Sequence, residues 1–480
     1  MNRIFSNIVF LVVLNLLVKP LWIFGIELTV QNRVGAEEYG NYFALFNFVI
    51  LFQILLDMGI NMSNNREISR DSSLLPSYFS SIIAVKFILA IFYALAIYGV
   101  AFFLGYSAFQ LKLLSFLMMG QVGLSYLLYF RSNLGALQLF KRDGFLSVFD
   151  KLLMIVILGA VLFGSAFSAE IHIMLFAQIQ SFAFILTAVV GFLMIVKELK
   201  EYSLRPDFSK AVVILKKSYP FALLIFLMAI YNRIDGVMIE RLLPNGKAEA
   251  GVYAAGYRLL DAVNQIGLLS STVLYPVFSK LIADKQEVAG VAVRAAQLIL
   301  VLAFVVCGSS FAFRSEIMHW LYWDATPYYA DLFGCLIWSF LGIACTYVFG
   351  TLLTSGGYLK QLNTIALSGV AMNVVLNYLL IENFQALGAT WATLITQSVI
   401  AGIFTILSFK YFKIIFSLRV LTKAILFGTF SLLLFFAAQH FQFTIWQIRF
   451  VLSAFLAALL GALIFGRSWL SLGTDLKAQR

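Results

Sequence analysis

Charge is what this sequence has least of. Asp, Glu, Lys and Arg make up 12% of its 480 residues against 62% hydrophobic, and the mean hydropathy is +0.93. A soluble domain carries about 25% charge to solvate its surface, so a water-soluble fold is excluded and most of the surface faces lipid. Cysteine is almost absent. Cys307, Cys335 and Cys345 show neither C-x-x-C nor metal-ligand spacing, and they read as small packing residues in or beside apolar runs. His172, His319 and His440 are scattered among short loops, which leaves no metal site. Nucleotide-binding glycine loops and nucleophile elbows are missing too, which argues against an enzyme. With no ATP-binding domain, any transport would have to draw on an ion gradient (H+ or Na+), the membrane potential or downhill flow; no other cofactor is expected. A net charge of +11 does not imply nucleic acid, because the basic residues gather between apolar runs and form no basic face.

Long apolar runs are what is present. A helix crosses the hydrocarbon core with about 20 mainly apolar residues, and that rule yields about fourteen candidate spans. The first seven lie near 7–28, 41–63, 79–104, 112–132, 145–166, 171–197 and 212–240; the rest near 251–278, 290–312, 329–354, 361–382, 386–409, 419–438 and 447–467. Strands of a membrane barrel alternate every second residue, and these runs do not, so the fold class is all-α and polytopic. The first run has no small-residue cleavage site and is interrupted by Lys19, so it reads as a retained span. Placing both termini in the cytoplasm puts most Lys and Arg on one side, as cytoplasmic loops require.

The longest polar stretch, 197–210, follows six spans. It reads as a linker (201–211) between an N-terminal lobe, 1–200, and a C-terminal lobe, 212–412, with two further spans and a tail in 413–480. A short acidic-x-Gly-x-Tyr element opens both span two, at Glu38–Tyr42, and span eight, at Glu249–Tyr253, which supports an internal repeat. Transporters built from repeated halves place substrate where the halves meet.

Ionisable groups inside spans carry the functional signal, since each costs about 2.5–3.5 kcal/mol at the bilayer centre unless it faces the bundle interior or water. They are Lys19 and Glu27 in span one, Asp57 in span two with Arg66 beyond it, Asp150 and Lys151 in span five, Arg233 and Asp235 in span seven, and Arg258 and Asp261 in span eight. The last two spans carry almost none. Cations facing a cavity suit an anionic ligand, and the Arg fork suits a diphosphate. Lys19, Arg66, Arg233 and Arg258 are therefore the candidate substrate contacts. Arg233–Asp235 and Arg258–Asp261 read equally as structural pairs. Glu27, Asp57, Asp150, Asp235 and Asp261 are the acidic candidates for ion coupling. Tyr322, Trp323, Tyr328 and Tyr329 read as an interfacial aromatic belt, and Pro20 and Pro220 as kinks.

At these residues the chain resembles the polysaccharide-flippase (Wzx-type) branch of the multidrug/oligosaccharidyl-lipid/polysaccharide transporter superfamily. Segment 34–69 is similar to that family's first block, with Tyr39-Gly40, Asp57, Gly59 and Arg66-Glu67. Segment 231–243 carries Arg233 and Asp235; segment 251–280, with Tyr257-Arg258-Leu259 and Pro276 to Lys280, also resembles the lipid II flippases; segment 372–397 has Asn373, Asn377, Gly388 and Ala389. The resemblance implies two six-helix lobes in a V with two appended helices, and alternating access. The implied substrate is a polyprenyl-diphosphate-linked oligosaccharide, moved across a bacterial inner membrane for O-antigen, capsule or exopolysaccharide. Its diphosphate and glycan would pass through a cationic cavity while the tail stays in membrane lipid, beside a polysaccharide polymerase machinery. The nearest alternative is a multidrug cation antiporter of the same superfamily; a membrane glycan polymerase or ligase is more remote, because the loops are too short to hold donor and acceptor.

Overall fold

The computed structural model describes residues 14–15, 17–164, 171–199, 208–415, 417–440 and 444–478. The start of the expected first span and residues 201–207 of the expected linker lie outside these. Among the described residues the regular structure is helical throughout, which is what lipid demands, since no water is present there to bond free backbone groups. Eleven helices among the described residues are long and apolar enough to cross a membrane. The chain divides into two compact units, Met1–Gly251 and Val252–Arg480.

The first unit holds α1 (Leu28–Leu51), α2 (Ile54–Asp57), α3 (Ile60–Arg70), α4 (Leu75–Phe103), α5 (Ala108–Ala136), α6 (Phe140–Phe163), α7 (Ile173–Val196), α8 (Phe208–Leu242) and the opening turns of α9 (Gly246–Ala283). Because α8 packs along α1, the compact division falls after the seventh span rather than in the 201–211 stretch. Pro20 leads into a π-helical turn, Leu21–Glu27, which gives the expected bend of span one a local cause. Gly35, at φ 79°, then separates the end of that span from the rest of α1. The expected second span is not one helix. It is broken at Phe52–Gln53 and again at Met58–Gly59.

Small residues let the helices approach. A Cβ on Gly120 would stand 2.9 Å from the Ser181 hydroxyl, and one on Gly123 would stand 3.0–3.1 Å from Ile185. The Ser181 hydroxyl meanwhile donates to the Phe116 carbonyl at 2.5 Å. Helices in lipid gain little from the hydrophobic effect and associate through such close packing.

The second unit continues α9 and adds α10 (Ala289–Ala312), α11 (Arg314–Leu321), α12 (Pro327–Ile337), α13 (Ser339–Ser355), α14 (Leu359–Tyr411), α15 (Leu418–His440) and α16 (Trp446–Ala478). Its closest helix pair is α13 against α14, where a Cβ on Gly342 would meet the Gln397 backbone at 2.9 Å. Spans ten and twelve thus pair as spans four and six do in the first unit. Two expected spans, 361–382 and 386–409, form the single element α14, interrupted at Gln385, whose φ is 55°. The Tyr328 hydroxyl accepts the Leu387 N–H just beyond that break, at 3.3 Å, and the Tyr322 hydroxyl donates to the Ala255 carbonyl at 3.1 Å. These two tyrosines bond inside the unit, whereas Trp323, at 70% exposure, keeps the character of a belt residue.

Helices α15 and α16 pack on α10 through Val301, Val305, Phe427, Phe435, Ala457 and Phe465. Against expectation this pair does carry a buried charge. Arg449, 8% exposed, donates to the Ala438 and Gln439 carbonyls at 3.2 and 3.0 Å, satisfying the end of α15 where an apolar residue would leave it bare.

Gly123→Leu is expected to cost about 1–3 kcal/mol through overpacking against Ile185, lowering the melting temperature in detergent. Gly99→Leu, where nothing lies within 4 Å of the new Cβ, should leave it unchanged. Equal melting temperatures for the two variants would contradict this packing.

Candidate functional site

Three polar assemblies lie inside the first unit. The first joins span one to α5 and α6. Lys19, half-buried, interacts electrostatically with Lys151, Arg131 and Asp150. Arg131 bonds Asp143 at 2.7 Å and Lys151 bonds Asp150 at 3.1 Å. The Lys151 ammonium also lies over the Trp22 and Phe184 rings, at 5.4 and 4.9 Å, a placement favourable for a desolvated cation. The Asn15 amide donates to the Ser147 hydroxyl at 2.9 Å, which ties span one to α6. Three cations and two carboxylates leave the assembly net positive. Lys19 and Asp150 are thus brought together as a cluster; Arg131, which completes it, was not among the sequence candidates.

The second assembly sits at the break between α2 and α3. Met58 and Gly59 are both left-handed, at φ 44° and 80°, and Met58 in that conformation costs about 1–2 kcal/mol. The carbonyls freed there are bonded from outside. Lys86 of α4, 1% exposed, donates to the Leu56 carbonyl at 2.9 Å and to Asp57 Oδ1 at 3.3 Å. The Ser125 hydroxyl donates to the same Leu56 carbonyl at 3.1 Å, and Tyr93 bonds the Val49 carbonyl at 3.1 Å. Beyond the break, Asn64 bonds Asn133 at 2.8 Å and Asn65 bonds the Ser132 carbonyl at 3.0 Å. Asp57 therefore pairs with Lys86, while Arg66 lies exposed on α3.

The third assembly gathers near the 104–107 turn. The Gln110 amide donates to Asn41 at 3.0 Å and to Glu240 at 2.9 Å. Arg241 pairs with its neighbour Glu240, donates to the Leu104 carbonyl at 3.0 Å and lies 4.0 Å over the Tyr106 ring. Burial raises the pKa of the Tyr106 hydroxyl, so the phenol under the guanidinium stays neutral.

The repeated acidic-x-Gly-x-Tyr elements have matching tasks. Tyr42 bonds Gln180 on α7 at 3.0 Å; in the second unit Tyr253 contacts the Thr393 hydroxyl on the latter part of α14 at 3.4 Å. Span two thus holds span six, and span eight holds span twelve. Within the first unit, α1 and the opening turn of α9 touch backbone to backbone. A Cβ on Gly40 would fall 1.8 Å from the Lys247 carbonyl, and one on Gly251 would fall 1.9 Å from the Ala36 carbonyl. Gln31 donates to the Gly251 carbonyl at 3.3 Å, and Glu38 caps α7 by accepting from Ile173 N–H at 3.2 Å.

The remaining candidates are distributed. Glu27 is buried and accepts from the Tyr39 hydroxyl at 3.1 Å. Arg233 is half-buried on α8, with Asp235 buried two residues on; Arg258 and Asp261 are half-buried one turn apart on α9, in the second unit.

Residues 4–282 match the family model described as polysaccharide biosynthesis protein. No curated protein matches the sequence. Among solved structures, the chain is similar to the lipid II flippase MurJ in an inward closed conformation. The TM-score is 0.69 at 16% identity, covering 96% of this chain and 100% of that one. It is also similar to a multidrug resistance MATE family transporter of the MOP superfamily in an inward-facing conformation, with TM-score 0.61 at 14% identity, covering 82% and 94% of the two chains. A third likeness is to a MOP superfamily transporter from Pyrococcus furiosus, with TM-score 0.58 at 16% identity over 85% of this chain and 94% of that one. At these identities the likeness is one of fold.

Gly40→Ala and Gly251→Ala should each force the opening turn of α9 away from α1. Faster trypsin cleavage after Lys247 is the expected readout, and a cleavage rate equal to the parent's would contradict the contact.

Proposed function

The chain belongs to the polysaccharide biosynthesis protein family, and from that premise we propose that it is a flippase. Its cargo is a polyprenyl-diphosphate-linked oligosaccharide, carried from the cytoplasmic to the outer leaflet of a bacterial inner membrane by alternating access, with both termini cytoplasmic. The single observation that carries the reading is the net positive cluster of Lys19, Arg131 and Lys151 inside a membrane unit. Each charge costs about 2.5–3.5 kcal/mol at the bilayer centre on insertion scales, so a surplus of cations there has to be offset by water, by a partner or by an anionic ligand. A diphosphate supplies the missing negative charge and several acceptor oxygens. Asp143 and Asp150 hold Arg131 and Lys151 in place, which pre-organises donors for a ligand that stays only briefly. Arg233 on α8 and Arg258 on α9 are the further contacts we assign to the diphosphate and glycan, and Asp235 and Asp261 are the candidates we keep for ion coupling.

The polyprenyl tail has no need of the polar assemblies. Phe87, Ile91, Phe92, Leu95, Phe102 and Phe103 of α4 are exposed, so the unit presents to lipid a surface along which an isoprenoid can slide. The substrate belongs to surface polysaccharide synthesis, of O-antigen, capsule or exopolysaccharide.

A cation antiporter is the second reading. The buried carboxylates Glu27 and Asp235, at 5% and 1% exposure, favour it, as groups able to meet a cationic drug.

Deleting the gene is expected to trap a diphosphate-linked repeat unit in the cytoplasmic leaflet, and the parent gene to restore surface glycan. Lys19→Ala and Arg233→Ala should each lower surface glycan at least tenfold at parental membrane abundance, the loss of about 1.4 kcal/mol of binding per tenfold; Lys141→Ala, at an exposed position, should restore it fully. Parental glycan from both cavity variants, or export of cationic dyes without any effect on glycan, would favour the antiporter.

A further inference from the structure

Lys86 is the most deeply buried cation in the described part of the first unit. It stands apart from the cluster of Lys19, Arg131 and Lys151. Its surroundings are those of an ion site. Where a membrane helix unwinds, its freed carbonyls and a nearby carboxylate form a nest for a small monovalent cation. Here the second span breaks at Met58–Gly59, the Leu56 carbonyl and Asp57 carboxylate converge on one point, and the Lys86 ammonium sits there at 2.9 and 3.3 Å. Ser125 adds a hydroxyl bonded to the same carbonyl at 3.1 Å. The ammonium is carried by α4 and its side chain is 1% exposed, while the Asp57 side chain is 28% exposed. The carboxylate is thus the open side of the site.

We propose that Lys86 is a tethered counter-ion: its ammonium permanently fills a monovalent-cation site built by the Leu56 carbonyl and the Asp57 carboxylate, so the broken second span keeps its shape without a bound ion. Two consequences follow. The break in span two is insensitive to the sodium or potassium concentration around the protein, and a coupling ion, if transport uses one, binds elsewhere. Cutting Lys86 back to Ala empties the site and exposes it, by way of Asp57, to any cation small enough to enter. This holds whatever the cargo is.

Thermal unfolding of the full-length chain in detergent tests it without any substrate. Parent, Lys86→Ala and the double variant Lys86→Ala/Asp57→Asn are each melted in sodium, potassium, methylammonium or the bulky N-methyl-D-glucamine cation at equal ionic strength. The parent should melt at one temperature in all four. Lys86→Ala should melt several degrees lower in N-methyl-D-glucamine and recover, saturably, in sodium or methylammonium, as a ligand that binds only the folded state requires. The double variant should show no such recovery. A Lys86→Ala chain that ignores every cation, that yields no folded protein even in methylammonium, or that shares its response with the double variant overturns the proposal. So does Lys86→Met, which keeps the stem without the charge, if it complements a deletion strain as well as the parent does.

Discussion

Hydrocarbon offers no hydrogen bonds, and this chain breaks its helices anyway. At three of its irregularities a side chain from elsewhere bonds the backbone group that is freed. The Leu56 carbonyl at the break of span two is held by Lys86 and Ser125, the Leu387 N–H after the Gln385 interruption by Tyr328, and the last carbonyls of α15 by Arg449. An unpaired polar group in an apolar medium costs several kcal/mol, more than any of these helices could lose and still keep one conformation. The polar residues scattered through the apolar runs are therefore the points at which straight spans become shaped ones.

The same constraint orders the charges. Lys86 and Arg449 are consumed by the backbone; Arg241 is consumed by Glu240 and the 104–107 turn. Lys19, Arg131 and Lys151 differ because they are gathered together, with Asp143 and Asp150 among the described residues beside them. The cluster is anchored to span one, whose π-helical turn after Pro20 sets the direction in which Lys19 and Trp22 project. The glycine contact between α1 and the opening of α9 is a different kind of device. It depends on two missing side chains.

Much of the fold could be read from the sequence, because twenty apolar residues in lipid leave little choice but a helix. The helical class, the positions of most spans and the repeated acidic-x-Gly-x-Tyr element were visible, and the element's tyrosines bond spans six and twelve in turn. The breaks in span two were not visible, because 41–63 reads as one run able to cross, whereas the interruption at Gln385 falls in the gap between the expected spans 361–382 and 386–409. Asp57 was given no partner, and Lys86, which bonds it, lies 29 positions away; a lone Lys in the run AVKFILAIF was the available signal, since a charge so placed has to be satisfied by something. Arg131 was missed because it ends an apolar run and resembles a boundary residue. Tyr322 and Tyr328 were read as surface belt because composition carries no information on which way an aromatic ring at a helix end will turn.

The central claim is electrostatic: the cluster around Lys19 exists to balance the negative charge of a lipid-linked cargo as it crosses. It is tested most directly by reconstituting the chain in liposomes and comparing two synthetic cargoes with the same glycan and the same isoprenoid, one joined by a diphosphate and one by an uncharged linker. The account predicts that the protein moves the diphosphate-linked glycan at least tenfold faster than protein-free liposomes do and leaves the uncharged one at the background rate. Equal transport of both would contradict it.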